Sequence, residues 1–158
     1  NSDPDITFFP LFRFQMLLAH SKRHWLNERD VVQAEDLADE TLIIYPVDVA
    51  RLSIFTQFLN PAGVRPAVTR QTELTVMMIQ LVSSDLGVCV LPSWALTEYL
   101  RKAYISAKPL GKTGLWCTLY AAVQKHQAEL PFIRDFIRLA RTLPFQYLEG
   151  VETVEPGN

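Results

Sequence analysis

Three short stretches of this chain set polar side chains where an apolar run gives way to a helical pattern. They are Tyr45-Pro46-Val47-Asp48 with Arg51 just beyond, Thr72-Glu73-Leu74-Thr75, and Pro92-Ser93-Trp94. A helix start carries unpaired N–H groups and a positive dipole end, and so favours a carboxylate. Arg51, placed by the pattern in the first turn of its helix, can add a bidentate grip on that carboxylate. Glu73, or the hydroxyls of Thr72 and Thr75, can take an ammonium group, and the combination suits a small zwitterion such as an amino acid. A plainer arrangement uses the same residues: Arg51 pairs with Asp48 at the surface and Thr72 caps a helix. The Met77-Met78 pair reads as core packing ahead of a thioether pocket.

Other constellations offer less. There is no Gly-x-Ser-x-Gly elbow, and neither cysteine has a histidine close in sequence. Gly111-Lys112-Thr113 has the ending of a phosphate loop, but that pattern needs its first glycine where Ser106 stands, which leaves a hairpin turn. His20 and His24 share a short loop with Lys22 and Arg23. A metal there would want further acidic or thiol ligands, and the nearest acid is Glu28, so the pattern predicts solvated histidines. Glu35-Asp36 and Asp39-Glu40 are accounted for by capping and solubility. The inventory predicts no catalysis, no metal and no cofactor.

Elements that could position the junctions follow from apolar patterning. Leu42-Ile43-Ile44-Tyr45, ended by Pro46, and Val88-Cys89-Val90-Leu91, closed by Pro92, predict strands buried on both faces. From Val49, apolar residues recur at Leu52, Phe55, Phe58 and Leu59 on one helical face that stops before Pro61. Leu74, Met77, Met78, Leu81 and Val82 repeat that spacing, with Gly87 as the stop, and Ser93 is placed to cap a helix through Trp94, Leu96 and Leu100. Two short strands kinked at Pro10 are predicted over 6–9 and 12–19, then a polar loop over 20–30 and one helical turn over 32–38. Further strands fall over 67–72, 104–110 and 115–123, and a helix over 129–143 striped by Ile133, Phe136, Ile137 and Ala140. Strands alternating with helices define an α/β fold.

The composition narrows the function classes. With 158 residues, 15 basic against 17 acidic and a net charge of −2, the chain lacks the basic excess that gripping nucleic acid across a surface requires. A hydrophobic share of 49% excludes intrinsic disorder. Cys89 and Cys117 sit in apolar runs, as buried thiols of a cytoplasmic protein do. No apolar run approaches the roughly 20 residues that span a bilayer, and the polar opening Asn1-Ser2-Asp3-Pro4-Asp5 is no signal peptide. The absence of an initiator Met points to a piece of a longer chain.

Glu35-Asp36-Leu37-Ala38 leading into the strand Leu42 to Tyr45, and the Thr75 to Val82 helix running into Gly87-Val88-Cys89-Val90-Leu91-Pro92, resemble the effector-binding domain of LysR-type transcriptional regulators. Finer features are similar to the branch that controls methionine-biosynthesis genes in response to homocysteine. They are Leu42 to Val47, Arg51-Leu52, Phe58-Leu59-x-Pro61-Ala62-Gly63-Val64 and Leu115-Trp116 with Leu119 to Val123. The resemblance runs over residues 6–143. It implies two lobes of mixed and parallel sheet flanked by helices, like type 2 periplasmic binding proteins, with the effector in the cleft between lobes. It also implies contact with a homocysteine-like effector at Tyr45, Pro46, Val47, Arg51, Thr72, Glu73 and Thr75, a homo-dimer or tetramer, and no membrane. DNA would be met only through a helix-turn-helix domain that this chain lacks.

The chain departs from the family in lacking the front half of the first lobe, and in having His24-Trp25-Leu26-Asn27 where His-Pro-Leu-Ala is common. The domain reading that follows is 1–16 as the remainder of the first lobe and a crossover strand, 17–92 as the second lobe, 93–146 as the return to the first, and 147–158 as a loose tail. A solute-binding protein of an amino-acid transporter shares the fold and is the competing function; an upstream helix-turn-helix would decide between them.

Overall fold

The computed structural model describes residues 4–154. The chain divides into two compact units, Gln15–Leu115 and the pair of segments Asn1–Phe14 and Trp116–Asn158. The first strand, β1 (Ile6–His20), gives residues to both.

In the continuous unit, β2 (Thr41–Ile44), β3 (Val68–Gln71), β4 (Val88–Pro92), β5 (Ser106–Pro109) and the second half of β1 form a mixed sheet in the order β3-β2-β4-β1-β5. β3, β2 and β4 run parallel, with Ile44 opposite Gln71 and Ile43 opposite Cys89. β1 lies antiparallel to β4 and to β5, with Ala19 opposite both Cys89 and Ala107. Side chains on successive strand residues point to opposite faces. Leu18, Leu42, Ile44 and Val88 accordingly share one core with Leu26, Val32, Leu37, Ile54, Phe55 and Leu59. Their strand neighbours Ala19, Ile43, Cys89 and Leu91 share the other with Met78, Ile79 and Val82 of α1 (Thr75–Ser83), and with Leu96 of α2 (Ser93–Arg101). Both faces are covered, which is why β2 and β4 are unbroken apolar runs.

α1 and α2 end alike. The Asp85 N–H donates to the Val82 carbonyl and the Leu86 N–H to that of Leu81, while Ala103 and Tyr104 bond Leu100 and Tyr99 in the same pattern. Such a cap needs one left-handed residue, supplied by Asp85 (φ 62°) and Ala103 (φ 56°). Gly87, the expected helix stop, serves β4 instead. A Cβ there would lie 2.5 Å from the Thr41 carbonyl oxygen, so only glycine lets β4 approach β2 at this point.

In the second unit, β1 pairs with β6 (Leu115–Gln124) and with β7 (Val151–Glu152), Phe14 standing opposite Val151. α3 (Pro131–Thr142) lays Ile133, Ile137 and Ala140 on Leu11 and Phe12 of β1, and α4 (Pro144–Tyr147) follows it. The Arg13 guanidinium rests over the Trp116 ring at 5.2 Å from its centroid.

Several expectations are corrected. β1 is one strand through Pro10, whose fixed φ suits extended backbone and whose carbonyl accepts from Arg141 Nε at 2.8 Å. The helix expected from Val49 is two pieces. Leu52 is extended (φ −96°, ψ 119°) and separates the tight turn Val49–Arg51 from a wide i→i+5 helical segment, Ile54–Leu59. Ser93 is the first residue of α2 rather than its cap. β5 and β6 each pair with β1, so Gly111 to Gly114 link two partners of one strand and are no hairpin. Phe136 is exposed, and Cys117 is half-buried while Cys89 is buried. Helix α2 and β5 pack in the continuous unit, so the chain returns at residue 116 where the sequence reading placed the return at 93. The tail expected to be loose includes β7, and its last residues, 155–158, lie outside those described.

Candidate functional site

Because β2 and β3 are parallel and adjacent, the residues that follow them emerge at one edge of the sheet. The Thr72 N–H donates to the Ile44 carbonyl at 3.0 Å, extending the ladder one residue past β3. The Tyr45 carbonyl accepts from the Val47 N–H at 2.8 Å, a tight turn that leaves Pro46 and Val47 exposed. From its half-buried position Tyr45 reaches across to the first residue of α1, its hydroxyl 2.6 Å from Thr75 Oγ1. Two of the junctions singled out in the sequence are thus joined by one hydrogen bond. β4 is parallel to β2 as well, so the third junction, with Ser93 buried and Trp94 exposed, stands at the carboxyl end of the same three strands.

Arg51 is exposed at the end of its tight turn, not in the first turn of a long helix. The surface pairing with Asp48 is absent: the Asp48 carboxylate accepts from the Ala50 N–H at 2.9 Å, and among the described residues no ion pair joins it to Arg51. Thr72 does not cap α1 either, since the capping position is Leu74 and carries no side-chain bond. Glu73 is exposed beside it. Among the described residues the edge therefore presents the exposed Arg51 guanidinium, the exposed Glu73 carboxylate, and a tyrosine–threonine hydroxyl pair. Apolar Val47, Val49, Leu74 and Met77 are exposed on the same segments. Such a set can take a small ligand with one anionic and one cationic end and an apolar remainder. Met77 is on the surface and Met78 in the core, so core packing holds for Met78 alone.

The opposite ends of these strands hold polar groups that the sequence pattern assigned to solvent or left without a partner. His20 is fully buried, against the expectation of a solvated loop residue, because it closes β1 opposite Ser106. Ser21 Oγ donates to Asp85 across a separation of 64 residues, which no spacing rule could show. Among the described residues no three His, Cys, Asp or Glu side chains come together as a metal site, and no helix is long and apolar enough to cross a membrane.

A mixed sheet with helices on both faces, with polar groups gathered where its parallel strands end, defines a ligand-binding class of α/β domain. The family model for the LysR substrate binding domain matches residues 1–143, and the chain belongs to that family, with its periplasmic-binding-protein-like fold. It is 39% identical over 150 residues to the HTH-type transcriptional regulator MetR of Haemophilus influenzae, covering 95% of this chain and 48% of that protein. To MetR of Escherichia coli K12 it is 36% identical over 148 residues, covering 94% and 46%. The regulatory domain of MetR, a LysR family regulator from N. meningitidis, superposes with a TM-score of 0.90 at 34% identity, over 98% of this chain and 71% of that one. The chain spans about half the length of the curated relatives it matches.

Proposed function

We propose that this chain is the effector-sensing part of a cytoplasmic LysR-type transcription regulator. It binds a small amino-acid effector, homocysteine, and so governs methionine-biosynthesis genes without catalysing a reaction. The observation that carries this reading is the meeting of Tyr45 and Thr75 at 2.6 Å, with Arg51 exposed on the same edge of the sheet. The likeness to regulators named MetR, 39% identical in one case, supports a role in methionine regulation. In this reading the effector's carboxylate lies against Arg51, its ammonium against Glu73 and the Thr72 and Thr75 hydroxyls, and its thiol against Val47 and Leu74. An effector acts only by binding one of two existing conformations more tightly. Here those conformations belong to a homo-oligomer whose DNA contacts are made by a helix-turn-helix segment outside this chain.

Titration calorimetry with L-homocysteine under reducing conditions tests the assignment. Removing a charge-assisted pair at a partly desolvated site costs about tenfold or more in affinity. Arg51→Ala is therefore expected to weaken binding by about that factor, with a melting temperature within about 1 °C of the parent because Arg51 is exposed. Equal affinities would remove Arg51 from the site, and no binding by the parent chain would remove homocysteine.

A further inference from the structure

At the amino-terminal ends of β2 and β4, away from the proposed effector edge, two histidines are fixed in opposite tautomers. His20 Nδ1 lies 2.9 Å from the Ser21 carbonyl oxygen, which can only accept, so Nδ1 carries the proton. Its Nε2 is bare, buried and without a hydrogen-bond partner. His24 is set the other way. Its Nδ1 accepts from the Leu26 N–H at 3.3 Å and so caps the turn Trp25–Glu28. The proton is therefore on Nε2, which donates to Glu40 Oε2 at 3.2 Å. Glu40 Oε1 accepts from Trp25 Nε1 at 2.7 Å, so one carboxylate fastens both side chains. The two imidazole centroids are 5.8 Å apart.

We propose that this pair is a proton-operated latch on residues 21–28: a proton taken up at His24 Nδ1 displaces the Leu26 N–H and releases the Trp25–Glu28 turn. A protonated Nδ1 has no lone pair left, so the cap and the imidazolium are mutually exclusive. Glu40 Oε2 accepts from Nε2 in either charge state of the ring, so the imidazole keeps that anchor when the cap is lost. His20 itself faces His24, Lys108 from β5 and Asp85 from the loop after α1, and burial holds its affinity for a proton below the ordinary imidazole range. The switch has one moving proton, at His24 Nδ1. Water reaches His24 through an open cavity of about 440 Å³ lined by Arg23, Trp25, Asp39, Glu40 and Asp85 among others. The released segment is otherwise held by Asn27 Nδ2, which donates to the Lys22 and His24 carbonyls at 2.6 and 2.9 Å, and by Lys108 Nζ on the Asn27 carbonyl at 3.2 Å.

Long-range ¹H–¹⁵N correlation of the ring nitrogens, with amide exchange at Leu26 corrected for its intrinsic rate, tests the latch. At pH 7.5 His24 should be the Nε2–H tautomer and His20 the Nδ1–H tautomer. Between pH 7.5 and 5.5 the Leu26 protection factor should fall about fivefold or more, the worth of one capping bond, in step with the His24 ring. His24→Asn keeps a capping acceptor that cannot titrate, and should leave Leu26 protection independent of pH. An Nδ1–H tautomer for His24 at pH 7.5, or protection unchanged while its ring titrates, overturns the proposal; so does an equal fall in His24→Asn. If that variant does not fold, the tautomer and the parent chain's exchange decide alone.

Discussion

At the scale of single residues, environment decides which groups can act. His20 and Arg51 are both polar residues beside strand ends, yet one is fully buried and the other open to solvent. Burial holds the folded His20 below the ordinary imidazole pKa of 6.5. The unfolded chain therefore takes up a proton that the folded chain refuses as pH falls through that value. Stability is present in full above it and is lost on acidification toward the folded pKa. Melting temperatures at pH 7.5 and 5.5 should show a larger drop in the parent than in His20→Phe, and an equal drop in both would remove His20 as the source. The sequence could show none of this, because a histidine's exposure depends on what β5 and the Asp85 loop lay over it. The strand ends and the helix start that carry Tyr45, Thr72 and Thr75 were legible, since such junctions leave local marks. Their partners were not: the Tyr45–Thr75 bond joins residues 30 apart, and Asp48 turned to its own backbone, leaving Arg51 exposed.

Elements follow the sequence where one interaction dominates and depart from it where two are nearly equal. β2, β4, α1 and α2 stand close to their expected places because continuous apolar runs and strong helical spacing admit one arrangement each. Residues 49–59 do not: Leu52 is extended, and the wide helical segment after it buries Ile54, Phe55 and Leu59. Pro10 reads as a break because proline lacks a donor, yet its φ suits a strand and β1 runs through it. Two glycine-linked substitutions should have opposite signs. Ala103→Gly relieves a left-handed alanine at the end of α2 and should stabilise by about 1 kcal/mol. Gly87→Ala drives a Cβ to 2.5 Å from the Thr41 carbonyl and to 3.2 Å from the Ile43 side chain, and should destabilise by about 2 kcal/mol or more. Denaturant midpoints at constant slope would measure both, and a neutral Gly87→Ala would mean that β2 and β4 can part locally without cost.

On the scale of the whole molecule, a net charge of −2 fits a chain whose proposed work is to sense a small effector while another segment meets DNA. The two-layer core of the continuous unit and the smaller core around Leu11, Phe12 and Ile137 are separate clusters. The chain enters that unit once, at Gln15, and leaves it once, at Leu115, whereas the other unit is assembled from two distant segments. The molecule is consequently divisible at the level of the gene, and in one direction only. A reading frame for residues 15–115 holds every strand of the five-stranded sheet and both of its covering cores, and should yield a cooperative thermal transition on its own. One for residues 116–154 lacks Leu11 and Phe12 and should stay unfolded until a peptide spanning β1 is supplied in trans. Recovery of structure on mixing, followed by circular dichroism, would show that the smaller unit is a complementation pair written into a single polypeptide.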